Sequence, residues 1–202
     1  GSGAADAAGC SPALGLQAQC TCAISQLRPT QITVGMQQVR DRENELTART
    51  AVKFSSYLKS HPAPAVWGPR GELYIIDHHH LSRALLNTGT ARMYCQIKAN
   101  YASDTPADFW RKMEAREWVY PYDETGAKRI TDAIPRSVAE LRDDPYRSLA
   151  GYVRDACGYQ KASAPFAEFR WAEYFRKSMN LKPATNIDPQ TIEQAITHAR
   201  RD

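Results

Sequence analysis

The chain has 202 residues, 24% charged and 43% hydrophobic, with a formal net charge of +4, a pI near 8.8 and a mean hydropathy of −0.55. That size suits one sizeable core, and no apolar run approaches the roughly 18 residues of a membrane-spanning helix, so neither such a helix nor a disordered chain is expected. The charge excess favours anionic ligands mildly, without the dense Lys/Arg runs of a dedicated nucleic-acid binder.

Gly1-Ser2-Gly3 has the look of a cloning scar, and the small, Ala-rich stretch from Ala4 to Ala18 resembles the region after a secretory cleavage site. A periplasmic or secreted protein is therefore expected, with the cytoplasm as the alternative. Of the five cysteines, Cys10, Cys20 and Cys22 cluster here, while Cys95 and Cys157 lie far apart. In an exported protein Cys10 and Cys20 can close a disulfide loop. Free thiols are the plainer reading, and Cys20-Thr21-Cys22 lacks the spacing of a zinc knuckle. Residues 1–22 are read as a flexible leader, 23–101 as the core and 102–202 as a helical extension packed on it.

Ala23 to Leu27 reads as a short strand closed by Arg28-Pro29. From Asp41 to Ser60, Leu46, Ala51, Phe54 and Leu58 recur near helical spacing, and His61-Pro62 stops the helix. Ala65 to Trp67 and Leu73 to Ile76 are β-type runs joined by Gly68-Pro69-Arg70-Gly71, which predicts a hairpin. Leu81 to Asn87 is helical with Gly89 as its cap, and Ala91 to Ala99 alternates like a strand. Beyond Tyr101 the pattern is mostly helical: Pro106 to Arg116, Ser137 to Arg142, Tyr146 to Cys157, Phe166 to Met179 and Pro189 to Arg200. Loops at 121–126 and 158–165 are the expected mobile segments. The sum is an α+β fold, a small mixed sheet with packed helices and a C-terminal helical extension.

Candidate chemistry concentrates where the second hairpin strand meets a helix, at Asp77-His78-His79-His80, which holds three of the five histidines. Amides at a helix N-terminus are unpaired and the macrodipole is positive there, so such a junction attracts phosphate. Imidazoles near neutrality can donate to phosphate, exchange protons or ligate a metal. Adjacent residues at a turn point apart, so at most two of the three can face one pocket. Arg83, one turn on, can present a bidentate fork to an anion. Asp144, beside Asp143, either holds Mg²⁺ with phosphate or caps the helix that Pro145 opens. Tyr146, Arg147, Glu168 and Trp171 can line the same cleft, with core packing the commoner fate of such residues.

Ile76 to His80 resembles the strand-end motif of the ParB and sulfiredoxin superfamily, which includes the free serine kinases, with His78 at the motif's usual glycine and His80 or Arg83 near its usual arginine. Ile24 to Gln31 resembles the family's opening strand and Pro-containing loop. Asp143 to Ala150 and Phe166 to Arg176 resemble the helical tail of a bacterial subgroup described as ParB-like nucleases. The resemblance implies a ParB/sulfiredoxin-like core that binds a nucleotide such as ATP or ADP, or another phosphate-bearing ligand, at this junction. Phosphoryl transfer or phosphoester hydrolysis follows as the expected reaction; the alternatives are a secreted metal-dependent DNA nuclease and a non-catalytic ligand-binding module.

On that basis the expected catalytic residues are Asp77, His78 and His79. The ligand contacts are His79, His80, Ser82 and Arg83, and Asp77 and Asp144 are the candidate Mg²⁺ ligands. Where the free serine kinases resemble one another in a loop glutamate, this chain has Thr30 and Gln31, neither of which abstracts a proton at neutral pH. Glu43 and Glu45 follow at the start of the next helix. No cysteine adjoins the histidines, so sulfiredoxin chemistry is not expected.

Overall fold

The computed structural model describes residues 8–182 and 186–201; the start of the expected leader, to residue 7, lies outside them. Its strands are β1 (Gln19–Ala23), β2 (Thr33–Val34), β3 (Ala63–Trp67), β4 (Leu73–Ile75), β5 (Arg92–Asn100) and β6 (Arg142–Asp143). Four of them form a mixed sheet in the order β1-β5-β3-β4, in which only β3 and β5 run parallel. β2 and β6 make a separate two-stranded parallel ribbon. Seven helices are described: α1 (Met36–Thr47), α2 (Ala51–Ser60), α3 (His79–Asn87), α4 (Pro106–Ala115), α5 (Pro145–Asp155), α6 (Ala167–Ser178) and α7 (Pro189–Arg201). No helix among the described residues is long and apolar enough to cross a membrane.

The expected hairpin forms with Val66 opposite Tyr74, and positive φ at Arg70 and Gly71 turns the chain between its strands. Thr105 caps α4 by accepting the Asp108 amide, and Pro106 occupies the first turn, where its missing N–H costs nothing. Inward residues Ala65, Met93, Ile97 and Leu85 join one buried cluster. A second surrounds Phe109 and Met113 of α4, and a third packs Leu149 and Val153 of α5 against Phe175 and Ala199. Burying each large apolar side chain contributes about 1.5–3 kcal/mol.

Three predicted elements differ. The first strand lies earlier, at Gln19–Ala23, and Ile24–Gln26 is a 3-10 turn. The flexible leader therefore does not reach residue 22: Cys20 and Cys22 alternate inward as sheet residues do, and disulfides Cys10–Cys20 and Cys22–Cys95 tie this edge down. The single helix expected over 41–60 is two, starting at Met36 and interrupted at 48–50, where the Thr50 hydroxyl accepts the Lys53 amide and caps α2. An N-cap requires extended backbone, so the helix cannot run through it. Residues 138–143 are a 3-10 turn followed by β6, because pairing with β2 satisfies the backbone there. The 121–126 loop is pinned by the Asp123 carboxylate, which accepts the Thr125 and Ala127 amides.

Candidate functional site

β4 delivers Asp77 and His78 to the start of α3. His78 is the N-cap in the left-handed region, φ 63° and ψ 30°. Non-glycine residues pay roughly 1 kcal/mol or more for that conformation. The Asp77 carboxylate accepts the His78 amide at 2.7 Å.

The three imidazoles have different fates. His79 is 3% exposed, and its Nε2 accepts the Thr30 amide at 3.0 Å, which places its proton on Nδ1. Burial, with a smaller contribution from His78, lowers its pKa to about 3. His80 Nε2 accepts the Gly35 amide at 2.9 Å, and burial first, then the Arg147 charge, hold it well below the usual imidazole range. Both are neutral brackets joining α3 to the 30–35 segment. His79 and His80 were expected to contact the ligand, His79 as a catalytic residue as well; in the fold the Nε2 lone pair of each is taken by a backbone amide. His78 alone has a ring without a hydrogen-bond partner among the described residues. Burial lowers its pKa, and Asp77 pulls the other way.

Other expected ligand contacts are likewise committed to the fold. The Ser82 hydroxyl donates to the His78 carbonyl at 2.8 Å. Arg83 donates to the Val138 and Leu141 carbonyls at 3.1 and 2.9 Å and to Asn87 at 3.1 Å. Asp144 is buried, caps α5 through the Tyr146 amide at 3.0 Å and pairs with Arg176. Burial pushes its carboxyl up against the pull of Arg176. Asp77 lines the cavity described next and Asp144 does not, its carboxylate being taken up by the Tyr146 amide and Arg176.

That cavity, about 610 Å³, opens between the start of α3, the start of α5 and the chain around Phe166. Asp77 and all three histidines line it, where at most two were expected to share one pocket, because α3 starts at the cavity wall; Arg42, Arg116, Arg147 and Arg154 face Glu117 and Glu168 across it, and Trp118, Phe166 and Phe169 supply aromatic wall. Arg154 is neutralised by Glu168 and Asp155, and Arg42 is engaged by Tyr57 and Glu45. Arg116 stacks on Trp118, its guanidinium carbon 4.0 Å from the ring centroid.

Arg147 stands apart. It belongs to the first turn of α5, donates to Gln38 at 3.2 Å and lies 5.2 Å from the Phe169 ring centroid. Its Nε is buried without a hydrogen-bond partner, and no carboxylate pairs with it among the described residues. Burial lowers its pKa, with Glu168 at longer range opposing. Two glycines permit the arrangement. A Cβ on Gly35 would fall 2.7 Å from the Ser148 amide nitrogen, and one on Gly151 would fall 2.0 Å from Gln38 Nε2, displacing the side chain that orients Arg147. Of the four residues expected to be able to line the cleft, Arg147 and Glu168 do so, while Tyr146 and Trp171 pack in the cluster of the last helices.

A charged, incompletely paired guanidinium in a cavity that also receives the first turn of α3 can hold an anion. The fold and this junction define an α+β domain of the ParB-like kind. The chain belongs to the family described as "Putative ParB-like nuclease", whose family model matches residues 20–177. It is also similar to the crystal structure of protein Atu1540 from Agrobacterium tumefaciens, at 35% identity over 90% of each chain with a TM-score of 0.83. The comparison with curated proteins returned no match.

Proposed function

We propose that the chain binds the phosphodiester of a nucleic-acid strand in the Arg147 cavity and hydrolyses it. The observation that carries this reading is the half-buried guanidinium of Arg147, whose Nε is buried without a hydrogen-bond partner and which forms no ion pair among the described residues, facing the same cavity as His78. A largely desolvated charge with an unfilled donor is costly, and Glu168 offsets it without pairing with it, so a ligand that completes it is favoured. In this reading Arg147 and the amides of the first turn of α3 hold the non-bridging oxygens. His78 takes a proton from water as its oxygen bonds to phosphorus; the ester oxygen leaves and is protonated by solvent. Asp77, one residue earlier, stabilises the resulting imidazolium. The family's description supports a nuclease.

A mononucleotide such as ATP or ADP, carrying Mg²⁺ on its own phosphates, is the second reading. The cavity volume favours it, because it lies in the range that encloses a small ligand, with aromatic wall for a base. Transfer to a free hydroxyl, as in the serine kinases, has less support. Thr30 is bonded to His79 and Ile75, and Glu43 and Glu45 engage Asn87 and Arg42, outside the cavity lining. Cleavage of a labelled single-stranded oligonucleotide, with and without Mg²⁺ or Mn²⁺, tests the proposal. We expect cleavage that falls by about 10²-fold in His78→Gln, the scale of a lost general base. Absence of cleavage with turnover of ATP would move the assignment to the second reading.

A further inference from the structure

We propose that, once reduced, Cys10, Cys20, Cys22 and Cys95 form a tetrathiolate site for one zinc ion at the β1 edge of the sheet. This edge lies apart from the Arg147 cavity, whose lining includes none of the four cysteines. Cys20 faces Cys95 directly across the antiparallel β1–β5 pair, and Cys22 lies two residues along on the same inward side. Cys10 is brought over them by reciprocal backbone bonds: its amide donates to the Thr21 carbonyl at 2.9 Å, and the Thr21 amide donates to the Ala8 carbonyl at 2.9 Å. The sulfurs of Cys10, Cys22 and Cys95 all lie within 4.8 Å of one another, although Cys10 is bonded to neither of the other two. Cys20 Sγ is bonded to Cys10.

Zinc–sulfur bonds of about 2.3 Å in a tetrahedron put the four sulfurs roughly 3.8 Å apart. Three of the four sulfurs already lie within 4.8 Å of one another, and Cys20 joins them when its bond to Cys10 opens, with the strands left in register. The site is also electrostatically suited to four thiolates around a dication, a net charge of −2. Arg92 and Arg136 line the same cavity as Cys10 and Cys22, where Arg28 is already paired with Glu72, and cations there favour thiolate. Cys20-Thr21-Cys22 alone is too short to be a knuckle; Cys10 and Cys95 supply the other two ligands through the fold.

The chemistry balances in two steps. A phosphine reductant converts each disulfide and one water to two thiols and is itself oxidised to the phosphine oxide. Four thiols then bind Zn²⁺ and release four protons. Disulfides and metal are thus mutually exclusive states of one cluster.

The test uses the full chain carrying Cys157→Ser, which removes the exposed free thiol. Phosphine-reduced protein is titrated anaerobically with Co²⁺, and absorption spectra are recorded before and after addition of Zn²⁺. We expect one Co²⁺ per chain, sulfur-to-cobalt charge-transfer bands with the intense visible bands of tetrahedral cobalt, and displacement by zinc. The oxidised protein should bind none. Cys10→Ser, at the least buried of the four positions, should weaken binding by at least about tenfold, as even outer-shell changes do. If the reduced protein loses its circular dichroism without metal, recovery on adding Co²⁺ supports the site and failure to recover overturns it. A spectrum without tetrahedral thiolate bands, or one unaltered by Cys10→Ser, also overturns it.

Discussion

Acidification should unfold this protein through its two bracket histidines, and the effect of His79 can be worked from its site. Its folded pKa is about 3, against the usual 6.5. Between those values the unfolded chain binds the extra proton and the folded one does not, so stability rises with pH across this window. The contribution is fully present above 6.5 and is lost as pH falls toward 3. One proton corresponds to about 1.4 kcal/mol per pH unit, so moving from pH 7 to pH 5 removes about 2 kcal/mol through His79 alone. His80, lowered for the same reason of burial, adds a term of the same sign.

The assay is urea denaturation followed by tryptophan fluorescence at pH 7, 6 and 5, for the wild type and His79→Gln. Glutamine keeps a carbonyl to accept the Thr30 amide but cannot titrate. The variant's stability should fall by about 2 kcal/mol less than the wild type's between pH 7 and pH 5. Equal pH dependence in the two proteins would refute the assignment of His79 as a buried neutral bracket.

Other outcomes follow from the same contacts. His78→Gly relieves the left-handed N-cap at the cost of added backbone entropy, so denaturation midpoints should shift by no more than about 1 kcal/mol equivalent while oligonucleotide cleavage is lost. Arg83→Ala deletes the donors to the Val138 and Leu141 carbonyls and should destabilise by about 1–3 kcal/mol in thermal melts, with ligand affinity unchanged. Arg176→Met leaves the buried Asp144 carboxylate without its cation and should cost about 3–5 kcal/mol, read by urea titration.

Elements marked by punctuation were the readable ones. Gly68 to Gly71 announced the hairpin, and Thr105-Pro106 and Asp144-Pro145 announced α4 and α5. The strand-to-helix step at Ile76 to His80 was legible because an apolar run met helical spacing at one point. What failed did so for tertiary reasons. Cys20 and Cys22 read as leader because alternation over five residues is weak until disulfides and the β5 partner are known. The break before Thr50 hid inside a continuous helical pattern, and β6 exists only through its pairing with β2.

The roles of individual side chains were less accessible still. Adjacent histidines are indistinguishable in sequence, yet two spend their Nε2 atoms on amides of the 30–35 segment and one does not. Arg83 carried the expected anion fork on helical spacing, but carbonyls near residues 138–141 claim it. Arg147 was placed at the cleft from sequence, but that its Nε lacks a partner there follows only from the packing of α5 against α1.

The central claim is that Arg147 is retained for an anion and not for the fold. Arg147→Met keeps the apolar stem and removes a half-buried charge that forms no ion pair among the described residues, so the variant should be as stable as the wild type or more so. Binding of a fluorescein-labelled single-stranded oligonucleotide, measured by anisotropy beside urea titrations of the same samples, is the direct test. The account predicts undiminished stability with affinity reduced at least tenfold, on the scale of about 1.5–3 kcal/mol for a charge-assisted hydrogen bond. Unchanged affinity, or a loss of affinity matched by a loss of stability, would contradict it.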